Sequence, residues 1–117
     1  MATYTKQFLS AAPNGNSILV ANAALPGVVV HIATTGTNID EVYLYGYNAF
    51  GSAINMSVYW GDANGTNTQI FTIPGGVAGR ILLLDGRIIT NGGTISATTT
   101  SSGTTGLTID GFVNRIS

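Results

Sequence analysis

Little in this chain can do chemistry: it holds one histidine, five acidic and four basic residues, and no cysteine. Disulfides, thiolate metal sites and a cysteine nucleophile are therefore excluded. His31 stands among Val28, Val29, Val30 and Ile32, with no acid or nucleophile beside it in the chain. A Ser–His–Asp arrangement would need convergence in space, so His31 reads as an ordinary strand histidine packed at a sheet face. A carboxylate pair for glycoside chemistry would have to come from Asp40, Glu41, Asp62, Asp85 and Asp110. Most of these fall at turns and strand ends, where charges normally sit. Asp62-x-Asn64-Gly65-Thr66-Asn67 alternates oxygen ligands like a calcium loop, but Ile73 stands where the closing acid belongs. It reads as a solvated turn. Gly75-Gly76-Val77-Ala78-Gly79 lacks the lysine of a phosphate loop. The expectation is a protein that is not an enzyme and holds neither metal nor cofactor.

The aromatic residues form a stronger pattern. Tyr43, Tyr45 and Tyr47 share one parity of one strand, and Tyr59 has the outward parity of the next. If those two strands pair as a hairpin, four phenol rings form one patch. Tyrosine suits interfaces because it joins apolar area to a hydroxyl at small entropic cost. The alternatives are a Tyr face that forms one wall of the core, with Val42 and Leu44 on the other, or a sugar-stacking platform. Tyr4 and Phe8 lie in segment 1–16, an N-terminal arm or edge strand that ends in Pro13-Asn14-Gly15-Asn16. These six aromatics are the candidate protein–protein contact residues.

The elements that must position them are strands. Ile54, Met56, Val58 and Trp60 alternate with Asn55, Ser57 and Tyr59, a period of two. Val28, Val30 and Ile32, then Val42 and Leu44, then Ile95 and Ala97, then Leu107 and Ile109 repeat it. No window carries a helical stripe. Strands are expected at 4–9, 17–21, 27–34, 40–47, 53–60, 68–73, 79–84, 86–90, 94–99 and 106–116. Leu25-Pro26-Gly27, Ala49-Phe50-Gly51-Ser52 and Pro74-Gly75-Gly76 punctuate them. Asn91-Gly92 reads as a tight hairpin, Asp85-Gly86 as a bend or bulge, and 98–105 as a polar loop. Gly111 falls at an inward position, so a bulge there is expected to switch the phase and turn Phe112, Asn114 and Ile116 to one side. The fold class is all-β: an antiparallel two-sheet sandwich, jelly-roll or immunoglobulin-like, with about eight to ten short strands and essentially no helix. Residues 17–117 form the sandwich.

Size and charge agree with one compact unit. At 117 residues the chain can bury close to two thirds of its unfolded surface. Its net charge is −1 and only 8% of its residues are charged, so it has no positive field for nucleic acid. No apolar run is long enough for a membrane helix, and Pro13 to Asn16 interrupt any signal-peptide core before Ala21-Asn22-Ala23. An exterior of Thr, Ser, Asn and Gly with almost no charge suits a surface committed to fixed neighbours, since free domains usually keep net charge away from zero.

From Ala21 onward the order of elements resembles the small β-sandwich structural proteins of tailed-bacteriophage virions. The residues that carry the likeness are Leu25-Pro26-Gly27 leading into VVVHIAT, NIDEVYLYGYN, AINMSVYWG, IPGGVAGRILLLDGRIITNGGTISATTT and the closing GLTIDGFVNRI. Many such proteins look like capsid decoration (cement) proteins. The resemblance implies a non-enzymatic virion protein on the outer capsid surface, a homo-oligomer (a trimer) that docks on the major capsid protein. A tail or neck component is the first alternative, and a carbohydrate-binding adhesin module the second. The Tyr-rich strand and the Thr/Ser loop at 98–105 depart from that pattern.

Overall fold

A computed structural model describes residues 3–20, 27–49, 51–61, 68–75, 80–99 and 106–117. Among the described residues nine strands are formed: β1 (Tyr4–Phe8), β2 (Ile18–Leu19), β3 (Val28–Ile32), β4 (Ile39–Asn48), β5 (Ile54–Gly61), β6 (Thr68–Ile73), β7 (Ile81–Thr90), β8 (Thr94–Thr99) and β9 (Leu107–Ile116). The described residues contain no helix. The strands make two antiparallel sheets packed face to face. One has the order β1-β9-β4-β7, with β2 also paired to β9; the other has the order β3-β8-β5-β6.

The period of two in the sequence becomes the two sides of each sheet. On β4, Asp40, Val42, Leu44, Gly46 and Asn48 are buried, while Ile39, Glu41, Tyr43, Tyr45 and Tyr47 are half-buried on the outside. On β5, Ile54, Met56, Val58 and Trp60 point inward. Val42, Leu44, Leu107, Ile109 and Val113 of one sheet and Met56, Val58, Ile95 and Ala97 of the other belong to one core cluster. Each of these Val, Leu, Ile and Met side chains contributes about 1.5–3 kcal/mol on full burial. At one end of the core Asn48 is buried, and its Nδ2 donates to the carbonyls of Ser52 (2.9 Å) and Ile73 (3.0 Å).

The pairs β5–β6, β4–β7, β3–β8 and β2–β9 are nested one inside the next. One long antiparallel ribbon, folded at β5–β6 and rolled up, gives this order, which is that of a jelly roll. The nesting corrects two hairpin expectations. β4 and β5 do not pair; they lie in opposite sheets. Asn91 and Gly92 do form a tight turn with positive φ (53° and 73°), closed by the Gly93 amide donating to the Thr90 carbonyl (3.1 Å). That turn carries the chain from one sheet to the other, so its flanking strands do not pair.

Residues 79–84 and 86–90 were expected as separate strands, yet Ile81–Thr90 is one strand. Its pairing with β4 slips between Val42 and Tyr43 and again between Leu44 and Tyr45. Gly86, with φ of +81°, supplies the first bulge. The second leaves Leu83 and Leu84, adjacent in sequence, both buried. β9 behaves in the opposite way. Its pairing with β4 runs unbroken from Leu107 to Ile116, so there is no bulge at Gly111. Glycine is required there because a Cβ would fall against the Tyr43 carbonyl oxygen. The unbroken parity keeps Phe112, Asn114 and Ile116 outward and turns Val113 and Arg115 inward.

Candidate interaction surface

Residues directly opposite each other in an antiparallel pair share a face, so the register fixes what the outside of the five-stranded sheet displays. Phe8, Phe112 and Tyr43 form one row across β1, β9 and β4; Tyr4, Ile116 and Ile39 form another. Lys6, Asn114 and Glu41 lie between them, and Tyr45 continues the face opposite Asp110 and Leu82. Tyr47 and Leu19 flank Thr108. Phe8 is 60% exposed, and Tyr4, Leu19, Leu82 and Ile88 are exposed as well.

Three of the rings on this face, Tyr43, Phe112 and Tyr45, are held by contacts. Tyr43 stacks on Phe112 with centroids 4.7 Å apart and planes 12° from parallel. Lys6 Nζ lies 4.5 Å from the centre of the Phe112 ring, and the Arg80 guanidinium lies 4.5 Å from that of Tyr45. Cations over ring faces gain about 0.5–1 kcal/mol at exposed sites. Arg80 Nη2 also pairs with Asp110 Oδ2 at 3.0 Å. The Tyr43 hydroxyl donates to Glu41 Oε1 (3.4 Å). Partial desolvation and the neighbouring Glu41 carboxylate push the phenol's pKa up, so it stays a hydrogen-bond donor. A cleft of about 550 Å³ opens on this face, lined by Lys6, Gln7, Phe8, Gly15, Arg80, Asp110, Gly111 and Phe112.

Five of the six aromatics singled out in the sequence, Tyr4, Phe8, Tyr43, Tyr45 and Tyr47, thus meet on one sheet face. Tyr59 does not join them, because β5 belongs to the other sheet. Its hydroxyl is 3.0 Å from Thr98 Oγ1 on β8. Phe112, Lys6 and Arg80 complete the surface and were not singled out. The alternation Tyr4-Lys6-Phe8 is visible in the sequence, but nothing local places it beside Phe112.

A polar cluster lies inside the sandwich: His31 is a packed strand histidine, and the acid that the chain does not place beside it comes from β4 of the other sheet. His31 is buried on β3, and its Nε2 is 2.8 Å from Asp40 Oδ2 on β4. Asp40 is fully enclosed and also receives Arg115 Nε (2.8 Å), Arg115 Nη2 (3.1 Å) and the Thr34 amide (3.4 Å). The backbone amide of Ser10 donates to His31 Nδ1 (3.0 Å). A backbone N–H can only donate, so Nδ1 accepts and the ring proton sits on Nε2, which donates to Asp40. Burial alone would raise the Asp40 carboxyl, but the hydrogen bonds from Arg115 and His31, the Arg115 charge and the Thr34 amide together hold it below its ordinary value. Both ring nitrogens are engaged and the ring is enclosed, so this imidazole has no lone pair to offer a substrate. The Ser10 hydroxyl accepts from the Ile32 amide (2.8 Å). The cluster ties the N-terminal segment, β3, β4 and β9 together across the two sheets.

Among the described residues no group of His, Asp and Glu side chains converges as a metal-ligand set, and no helix is long and apolar enough to cross a membrane. The loop Asp62–Asn67, most of the Gly75–Gly79 segment and positions 100–105 lie outside the described residues. No protein-family model, curated protein or solved structure matches the chain.

Proposed function

We propose that the protein is a non-enzymatic structural subunit that docks on a protein neighbour through the outer face of its five-stranded sheet. The observation that carries this reading is the meeting of Tyr4, Phe8, Tyr43, Tyr45 and Phe112 on one face, with Leu82 and Ile88 beside them. Tyr43, Phe112 and Tyr45, already held by ring contacts, lose little entropy on binding, and a recess beside them suits the inserted side chain of a partner. A contact of about 800 Å² per partner is ordinary for a stable complex, and repetition over a regular lattice multiplies it. In the finer reading, which rests on the sequence resemblance, the neighbour is the major capsid protein of a tailed bacteriophage and the chain is a decoration protein on the outer shell.

Binding of purified protein to undecorated capsids tests it. Tyr45→Ala removes an anchor and the ring under Arg80; a loss of about thirtyfold in affinity is expected, the size of a hot-spot truncation, with the circular-dichroism spectrum unchanged. Binding unchanged in Tyr45→Ala and in Phe8→Ala refutes the docking face.

A carbohydrate-binding reading draws on the cleft, where Phe8 and Phe112 stand beside Asp110, Gln7 and Lys6, a mixture of ring faces and polar groups suited to sugars. Jelly rolls serve both capsids and lectins, so the fold does not choose between them. Glycan-array binding that is lost in Phe112→Ala would decide for the sugar.

A further inference from the structure

Among the described residues the two sheets have four edges, and three of them are blunted against pairing with another chain. The outer edge of β9 is filled by two short pieces, β1 and β2, with Lys6 on the first. β7 slips register twice and carries Asp85 and Arg87. β3 has five residues and a slip between Val29 and His31. Charges, bulges and short lengths of this kind are how proteins keep edge strands from associating. β6, one residue longer than β3, has neither a charge nor a bulge. Its six residues, Thr68-Gln69-Ile70-Phe71-Thr72-Ile73, contain no charge, proline or glycine and pair with β5 in unbroken register. Its far edge carries no strand among the described residues. Ile70, on the outer face opposite Ser57, is 68% exposed.

We infer that β6 is a self-association edge: two copies of this chain pair antiparallel through β6 about a two-fold axis at Ile70. The sequence of the strand supplies the reason for a second copy over some other strand. Its outer face reads Thr68, Ile70, Thr72, so a register centred on Ile70 sets Ile70 against Ile70 of the second copy and Thr68 against Thr72 on both sides. Cross-strand β-branched and Thr–Thr pairs are favourable, and no like charges meet. A slip of one residue would set the inner face of one copy beside the outer face of the other. A slip of two would set Ile70 against threonine. A two-fold axis perpendicular to the strands keeps both inner faces on the same side, so the two four-stranded sheets become one continuous sheet. The contact is isologous and closes on itself, which makes it a dimer and not the trimer that the sequence resemblance implies. Edge pairing over six residues is smaller than a standard interface, placing dissociation on the order of micromolar. This inference is independent of the docking face.

Sedimentation equilibrium from about 1 to about 100 µM, bracketing that range, should show a monomer–dimer equilibrium with the dimer at twice 12.0 kDa. Ile70→Lys sets two charges against each other at the axis and weakens the dimer by about a hundredfold or more, while the exposed position leaves the monomer's fold intact by circular dichroism. Because the chain has no cysteine, single cysteines read the register. Ile70→Cys places two thiols directly opposite, within disulfide reach, and gives a covalent dimer on mild oxidation. Thr72→Cys places them about 14 Å apart along the strands and does not. A wild type that stays monomeric, a trimer, a dimer unaffected by Ile70→Lys, or equal crosslinking of both cysteine variants would overturn the proposal. So would an Ile70→Lys variant that keeps its solution mass but loses a bound strand of another protein. Tyr45→Ala leaves the dimer intact, so failure here and failure of the docking face are told apart.

Discussion

Replacing Asp40 by alanine removes the acceptor on which both sheets converge at one end of the core. In the native fold that carboxylate takes two hydrogen bonds from Arg115 and one each from His31 and the Thr34 amide. Removing one partner of a buried ion pair costs about 3–5 kcal/mol because the other charge is left uncompensated. The Arg115 side chain is 29% exposed and regains some hydration, which favours the lower end of that range. The stranded Nε2–H of His31, enclosed at 1% exposure, adds about 1 kcal/mol. The expected loss is therefore about 4 kcal/mol, a large part of the roughly 5–15 kcal/mol that hold a small domain together. For a chain of this length about 1 kcal/mol corresponds to about 4 °C, so the melting temperature should fall by roughly 15 °C. Urea unfolding followed by circular dichroism measures it, with the slope unchanged and only the midpoint moved. In an Arg115→Met background the same substitution should cost at least about 1 kcal/mol less, since no guanidinium is left unpaired. The sign of the pH dependence follows from the depressed carboxyl. Its folded pKa lies below the ordinary value of 3.8, so its contribution is whole above about pH 4 and is lost as the pH falls through the folded value. The stability gap between the native protein and Asp40→Asn should therefore narrow as the pH falls below 3.8. A loss under about 1 kcal/mol, strict additivity with Arg115→Met, or a gap that widens in acid would refute the reasoning.

Two other substitutions probe the frame. Gly111→Ala drives a methyl group into the Tyr43 carbonyl oxygen, where neither partner can yield without parting β9 from β4. It should cost about 3 kcal/mol or more, seen in urea midpoint and soluble yield, whereas Gly51→Ala, with nothing within 4 Å of the added carbon, should be nearly silent. Arg87→Ala uncovers the single tryptophan, whose ring centre lies 4.4 Å below that guanidinium. A red-shifted Trp60 emission and a loss of about 0.5–1 kcal/mol are expected; unchanged emission would show that the stacking does not persist in solution.

The candidate surface was half legible in the chain. Tyr43, Tyr45 and Tyr47 had to share a face once their segment was a strand, because successive side chains alternate. That Tyr4 and Phe8 stand on the same face, and Tyr59 on the opposite sheet, depended on which strands pair. Tyr43 meets Phe112 although nearly seventy residues separate them in the chain, and no local pattern encodes such a partner. His31 shows the same limit: nine residues from Asp40 in sequence, it gave no sign of a partner, because the two lie on strands of different sheets.

The sequence by itself determined that the chain forms strands, and on β4 and β5 which residues share the inward face. Alternating apolar and polar residues, together with Gly, Pro and Asn turns, act within a few residues, and a strand needs only those. Only the tertiary structure decided the rolled-up order of the strands, the passage of the Asn91-Gly92 turn between sheets, the merging of two segments into one bulged β7, and the enclosure of His31, Asp40 and Arg115. Pairing is chosen by the fit of whole faces against each other, and a turn fixes the direction of the chain without fixing the sheet it enters.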